Sequence, residues 1–417
     1  MAISVRLKNT AEYWMNRTMK KVLIVIRDMK IGGAQKSLLT FLQCLASTQM
    51  QKQFDIHLMV IDPQGAFLSQ IPKTIQLVEA PRELRWLSVH MKPQLIFQQF
   101  TWRGIWGEIC WLLQKGMKRF SPSFHISQKK WKCWKPFVPE NRQKYDVAVS
   151  YIDGCPNYYV MDKVKADKKV LWVHSEYQKQ GYDSAFDRPF FEASDAIVTI
   201  SSKCEQCIAE AFPQCADKVH VLENITSYEE ISRKSKIGTC VEFAGNQTLK
   251  LLTVGRLHTQ KGIDLAIGAA KLLKEAGKSF LWLVVGEGAE RAGLQALIDS
   301  YGLSDSFYLV GSRENPYSYI AECDMIVQPS RVEGKSIVLD EAKMLCKPIV
   351  VTNYATVKDS VMHGESGWIV DMTEQAICEG IVHMYHHPQL RKQIVENLNK
   401  APKGNEEELE RYVNIMF

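Results

Sequence analysis

Thirteen short apolar runs punctuate this chain, and a stretch with helical spacing follows most of them. The first seven are "KVLIVIRDM", "FDIHLMVID", "IQLVEA", "YDVAVSYI", "KKVLWVHS", "DAIVTIS" and "KVHVLENI". A polar, mixed stretch, "TSYEEISRKSKIGTCVEFAGNQT", interrupts the rhythm. It then restarts with "LKLLTVGRL", "FLWLVVGEG", "FYLVGSR", "DMIVQPS", "PIVVTN" and "GWIVD". Continuous β-branched runs alternating with helices predict parallel sheets covered on both faces. The expected architecture is α/β, with two Rossmann-like doubly wound domains over residues 1–225 and 246–395. Residues 226–245 read as a linker. Residues 396–417 read as a helical tail able to cross back to the N-terminal domain. Open parallel sheets bind ligands at the carboxyl ends of their strands, so two such sheets facing one another would form a cleft.

Length and composition agree. A chain of 417 residues exceeds one ordinary core, and 46% hydrophobic with 24% charged residues is globular composition. No apolar run is long enough to cross a bilayer, and the start lacks the features of a signal peptide. Eleven scattered cysteines suit a reducing cytoplasm. Cys204 and Cys207 have metal-ligand spacing, but with no second pair they read as structural.

Three strand ends carry polar chemistry. In "IGGAQKS", Gly32 and Gly33 allow close backbone approach, and the helix that follows points free amides at the turn. The same turn could need glycine for shape alone. In "VGRLHTQKG", Arg256 and Lys261 occupy one loop, where a guanidinium and an ammonium suit a diphosphate. His174, ending "KKVLWVH", could hydrogen-bond a ligand or be a satisfied structural histidine.

The fourth stretch is "EGKSIVLDE", with Glu333 and Glu341 eight residues apart. A helix from near Ser336 would present its first amides, at Ser336 and Ile337, together with Lys335. Eight helical residues rise about 12 Å, too far for one metal ion and beyond the roughly 5 to 9.5 Å of a glycosidase pair. No Asp-x-Asp offers another metal site. Two carboxylates touching different parts of one extended ligand remain.

Taken together, "GGAQ", "VGRLHTQKG", "VVGEGAE", "GESGWIV" and the run from "LVGSRENPYSYIAECDMIVQPSRVEGKSIVLDEA" onward resemble the GT-B-fold retaining glycosyltransferases of family 4. The resemblance covers most of the chain and is strongest over residues 251–370. It implies a nucleotide-sugar donor held by the C-terminal domain without a metal or other cofactor. Arg256 and Lys261 would neutralise the departing diphosphate, helped by amides around Gly33 and Ser336. Glu341 would meet the ribose, Glu333 the donor sugar, and His174 the sugar and acceptor, while Arg313 falls where the family holds the base. Attack from the front face would retain configuration, the leaving phosphate accepting the proton. Three positions depart from the family pattern. Gln35 replaces a usual Glu, Lys335 stands where an apolar residue is common, and "TNYATVKDSV" lacks Gly-Gly-Pro-Glu.

Charge is uneven. Residues 81–145 hold thirteen Lys and Arg against three Glu, within a chain of net charge +6. The same segment carries six of the ten tryptophans. Aromatic rings and lysines suit an anionic membrane surface, with Trp102, Trp106, Trp111, Lys115, Lys118 and Arg119 on an interfacial helix. They could equally pack inside the first domain. Nucleic acid is not expected, since no such motif accompanies the charge. The resemblance implies a saccharide or polyprenyl- or lipid-linked acceptor, with the enzyme peripheral on the cytoplasmic face. The alternatives are a non-catalytic GT-B subunit serving a partner enzyme, or a GT-B nucleotide-sugar epimerase.

Overall fold

The structure is a computed structural model, and it describes residues 19–88, 101–116, 125–238, 240–245 and 247–417. The thirteen apolar runs are the thirteen strands among the described residues. The first unit comprises residues up to Ile225 together with Glu407–Phe417, and the second comprises Thr226–Glu406.

In the first unit, β1 (Lys20–Ile26), β2 (Phe54–Val60), β3 (Gln76–Val78), β4 (Lys144–Ser150), β5 (Lys165–Val173), β6 (Ala196–Thr199) and β7 (Val219–Val221) form one sheet. Its order is β3-β2-β1-β4-β5-β6-β7, all parallel. β1 has no exposed residue beyond its first two positions, because helices cover both faces. Each such Val, Leu or Ile contributes roughly 1.5–3 kcal/mol by leaving water.

The second unit's sheet comprises β8 (Leu249–Val254), β9 (Phe280–Val285), β10 (Phe307–Gly311), β11 (Met325–Gln328), β12 (Ile349–Thr352) and β13 (Trp368–Val370). The order is β10-β9-β8-β11-β12-β13, again parallel. In both sheets the order reverses beside the first strand, at β1/β4 and β8/β11, and the loops at such switch points reach ligands.

Two boundaries differ from expectation. Residues 226–245 are not a bare linker: Ser227 caps a helix, Tyr228–Ser235, and Ile231, Cys240 and Phe243 join the second unit's core. Its short amphipathic helix and few apolar residues hid that role among polar residues. The last secondary element splits differently too. Helix Pro388–Lys400 stays with the second unit, while helix Glu408–Met416 packs on the first. There Tyr412 meets Phe41 at 5.1 Å and Phe417 meets Phe54 at 4.7 Å. Cys204 and Cys207 are buried in helix Ser202–Ala211, and burial pushes the Cys204 thiol up to about 11, as for a structural cysteine.

Candidate active site

At the carboxyl end of the first sheet, β1 runs into Gly32 and helix Gly33–Ala46. Gly32 is extended, φ −172°, so it is not there for a left-handed turn. A Cβ on it would lie 2.5 Å from the Gln35 Oε1, so a side chain would displace Gln35. Gln35 donates from Nε2 to the buried Asp28 at 2.9 Å. A glutamate there would face Asp28 as a second carboxylate, which accounts physically for the departure at this position.

His174 follows β5. Its Nε2 lies 2.9 Å from the Tyr151 carbonyl, so the ring donates there and Nδ1 keeps a lone pair. The ring stacks on Trp172 at 5.0 Å, and its backbone N–H donates to Asp153 at 3.1 Å. Burial lowers its pKa to about 4, outweighing the opposing bond to Tyr151, so the imidazole is neutral at pH 7. Tyr151 also bonds Ser37 of helix Gly33–Ala46 at 3.0 Å, which ties the glycine turn to His174. Asp153 was not singled out in the sequence. Burial raises its carboxyl to about 6, and its only sequence signal is its place in "YIDG" after β4.

In the second unit, β8 ends at Gly255 and Arg256, and helix Ile263–Glu275 starts after Gly262. Arg256 is exposed, and its side chain makes no hydrogen bond or ion pair among the described residues. Lys261 Nζ lies 2.6 Å from Glu333 Oε1. That same oxygen accepts Ser330 Oγ at 2.6 Å and Gln328 Nε2 at 3.2 Å. Glu333 Oε2 has no partner among the described residues. Thr356 bonds the Glu333 carbonyl at 2.8 Å and fixes the loop from behind. Gln328, Ser330 and Thr356 escaped the sequence reading, because only folding makes them neighbours of Glu333.

Ser336 Oγ donates to Gln328 Oε1 at 2.8 Å and so does not cap its own helix, Ile337–Met344. The spacing argument for the two glutamates needs correction: the helix begins at Ile337, so helical rise applies only from there to Glu341. Glu341 is 2% exposed and accepts from Tyr317 Oη at 3.2 Å. Lys335, next to Ser336 in the chain, is half-buried. Arg313, after β10, donates to Tyr319 Oη at 2.9 Å and to Glu242 at 3.3 Å, so its guanidinium is engaged within the protein. The structure therefore joins Lys261 directly to Glu333, with Arg256 on the same loop as Lys261, links His174 through Tyr151 to the helix that follows Gly32 and Gly33, and leaves Glu341 interior. Among the described residues no three His, Cys, Asp or Glu side chains are placed to hold a metal ion.

The tryptophans divide. Trp86, Trp131 and Trp134 are core residues, so for these three the internal-packing alternative holds. Helix Trp102–Gly116 rests on them through two glycines: a Cβ on Gly104 would lie 2.3 Å from Trp86, and one on Gly107 would lie 2.7 Å from Trp134. Trp111 packs partly against the same core. The opposite face carries Trp102, 74% exposed, Trp106, 58% exposed, and also Ile109 and Leu113. Lys115 lies in this helix, while Lys118 and Arg119 lie outside the described residues. Among the described residues no helix is long and apolar enough to cross a membrane.

Comparison with known proteins adds family to geometry. Residues 241–401 match the model of glycosyl transferases group 1. The chain is 24% identical over 381 residues to the N-acetylgalactosamine-N,N'-diacetylbacillosaminyl-diphospho-undecaprenol 4-alpha-N-acetylgalactosaminyltransferase of Campylobacter jejuni, covering 90% of this chain and 92% of that one. The amylovoran biosynthesis glycosyltransferase AmsK of Erwinia amylovora is 32% identical over 132 residues, 30% of this chain and 32% of AmsK. Among solved structures, Anabaena HepE in complex with UDP-glucose superposes with a TM-score of 0.66 at 14% identity, over 95% of this chain and 98% of that one. Two parallel-sheet domains of the GT-B kind, with the match falling on the unit that holds Arg256, Lys261 and Glu333, identify residues 241–401 as a glycosyl transferases group 1 domain and the chain as a glycosyltransferase.

Proposed function

We propose that this enzyme moves a sugar from a UDP-linked donor to a saccharide or lipid-linked saccharide in cell-surface polysaccharide synthesis, with retention and without a metal ion. The observation that carries the reading is the oriented Lys261–Glu333 pair, with the exposed Arg256 on the same loop as Lys261. Three donors hold Glu333 by Oε1, so Oε2 is left to accept a hydroxyl of the donor sugar. Lys261 and Arg256 take the charge that develops on the diphosphate as its bond to C1 breaks. The acceptor oxygen bonds C1 from the same face, and its proton passes to the leaving phosphate oxygen. His174, neutral at pH 7, offers the Nδ1 lone pair to a sugar hydroxyl and is not the acid. The UDP-glucose complex of HepE and the undecaprenyl-linked acceptor named for the Campylobacter relative support the choice of donor and acceptor class. Membership of family 4 is part of the same proposal.

The reading includes peripheral binding to the cytoplasmic face of an anionic bilayer. Trp102, Trp106, Ile109 and Leu113 lie 4, 3 and 4 residues apart and so share one helical face. A surplus of ten positive charges over residues 81–145 complements anionic headgroups.

Nucleotide release from UDP-, GDP- and ADP-sugars, with and without EDTA, tests the chemistry. Turnover on a UDP-sugar that survives EDTA is expected. No turnover on any donor would remove the enzyme reading, and strict dependence on a divalent ion would remove the mechanism. For the membrane, sedimentation with phosphatidylglycerol vesicles should fall with salt and in Trp102→Ala/Trp106→Ala. Unchanged sedimentation would contradict it.

A further inference from the structure

The loops bearing Lys261 and Glu333 are joined by more than that ion pair. The Arg331 backbone N–H donates to the Gln260 carbonyl at 2.7 Å. Its guanidinium donates to both Asp264 oxygens, at 2.7 and 2.6 Å, and to the Thr259 carbonyl at 2.9 Å. Gly262, left-handed at φ +62°, lets the loops touch, since a Cβ there would sit 2.0 Å from the Pro329 carbonyl oxygen. An arginine beside a phosphate loop would ordinarily be read as a phosphate ligand, but here three of its five N–H donors, including both of Nη1, are directed at Asp264 and Thr259.

We infer that Arg331 is a positioning residue: it clamps the loop around Lys261 to the loop around Glu333 through Asp264 and Thr259, and does not itself meet the donor. The inference rests on the donor reading proposed above. It explains how the Lys261–Glu333 pair is held in register. Lysine is a flexible four-carbon stem, and only a fixed backbone on both sides holds its ammonium in register with a carboxylate. Asp264 occupies the first turn of helix Ile263–Glu275, where a carboxylate is also favoured by the helix amides. Its pKa is lowered chiefly by the hydrogen bonds from Arg331, as expected for a carboxylate that stays ionised in the clamp. The fork geometry is particular to arginine, so lysine should not replace it.

UDP titrations in EDTA test this. Arg331→Ala, Arg331→Lys and Asp264→Asn should each weaken UDP binding on the order of tenfold, with lysine no better than alanine. Because the clamp acts through Lys261, adding Arg331→Ala to Lys261→Ala should weaken binding little further, whereas an independent structural defect would multiply the two losses. Wild-type affinity in the single variants, full function in Arg331→Lys, or multiplied losses in the double variant would overturn the inference. Melting temperatures identify any variant that fails to fold, and Asp264→Asn then carries the test alone. A wild-type protein that binds none of UDP, GDP and ADP would instead remove the donor reading, and the clamp's purpose with it.

Discussion

At the carboxyl end of the first unit's sheet, the contacts around His174 are hydrogen bonds and ring stacking. His174 is an uncharged imidazole stacked on Trp172, and Tyr151 and Ser37 share a hydrogen bond. At the same end of the second unit's sheet, the groups are ionic: Lys261 with Glu333, Arg331 with Asp264, and an open Arg256. Both ends grow from one topology, strand to loop to helix at a switch point. Their difference lies in which charges the loops carry. In the proposed reading it divides the labour, with neutral His174 reading hydroxyl groups and the cationic loops neutralising a leaving diphosphate.

The sharpest way to break that contrast is to remove the ammonium. Lys261→Ala should lower kcat/KM for nucleotide release about 10²–10³-fold, the usual effect of losing one charge-stabilising donor. An unchanged value would end the leaving-group role. Glu333→Gln keeps the size and loses the charge that orients Lys261, and should cost roughly tenfold in the same assay. The first unit should respond to a steric change and not to a charge change. Gly107→Val drives a methyl-bearing carbon toward the Trp134 ring and should destabilise by about 1–3 kcal/mol in a thermal or urea melt, with UDP affinity kept.

The smallest effect concerns pH. His174 folds with its pKa depressed to about 4 from an unfolded 6.5, so the unfolded chain binds more protons in that window. Its contribution to stability is therefore present above pH 6.5 and lost as pH falls toward 4. Asp153, raised to about 6, has the opposite sign and partly masks this. His174→Asn should flatten the fall in melting temperature between pH 6.5 and 4, and an unaltered slope would contradict the buried, neutral assignment.

How much of this the sequence shows depends on the reach of each contact. All thirteen strands were legible because parallel strands buried on both faces read as continuous apolar runs. The placement of Arg256 and Lys261 just past a strand was legible because glycines punctuate that loop. The clamp was not, since Arg331 and Asp264 are 67 residues apart and look like two surface charges until folded. The tryptophans were half legible. Composition flags an aromatic, basic segment, but it does not say that Trp86 and Trp134 sit under glycines while Trp102 and Trp106 face outward. Helix Tyr228–Ser235 was missed because its one buried Ile231 leaves too faint a period.

The central claim, that the second unit's cations hold the donor diphosphate without a metal, is tested most directly by titrating UDP in EDTA into wild-type protein and Arg256→Ala/Lys261→Ala. The account predicts that the wild type binds and that the double variant loses on the order of a hundredfold or more in affinity. Equal affinity in the two proteins, or binding by the wild type only when a divalent ion is added, would contradict it.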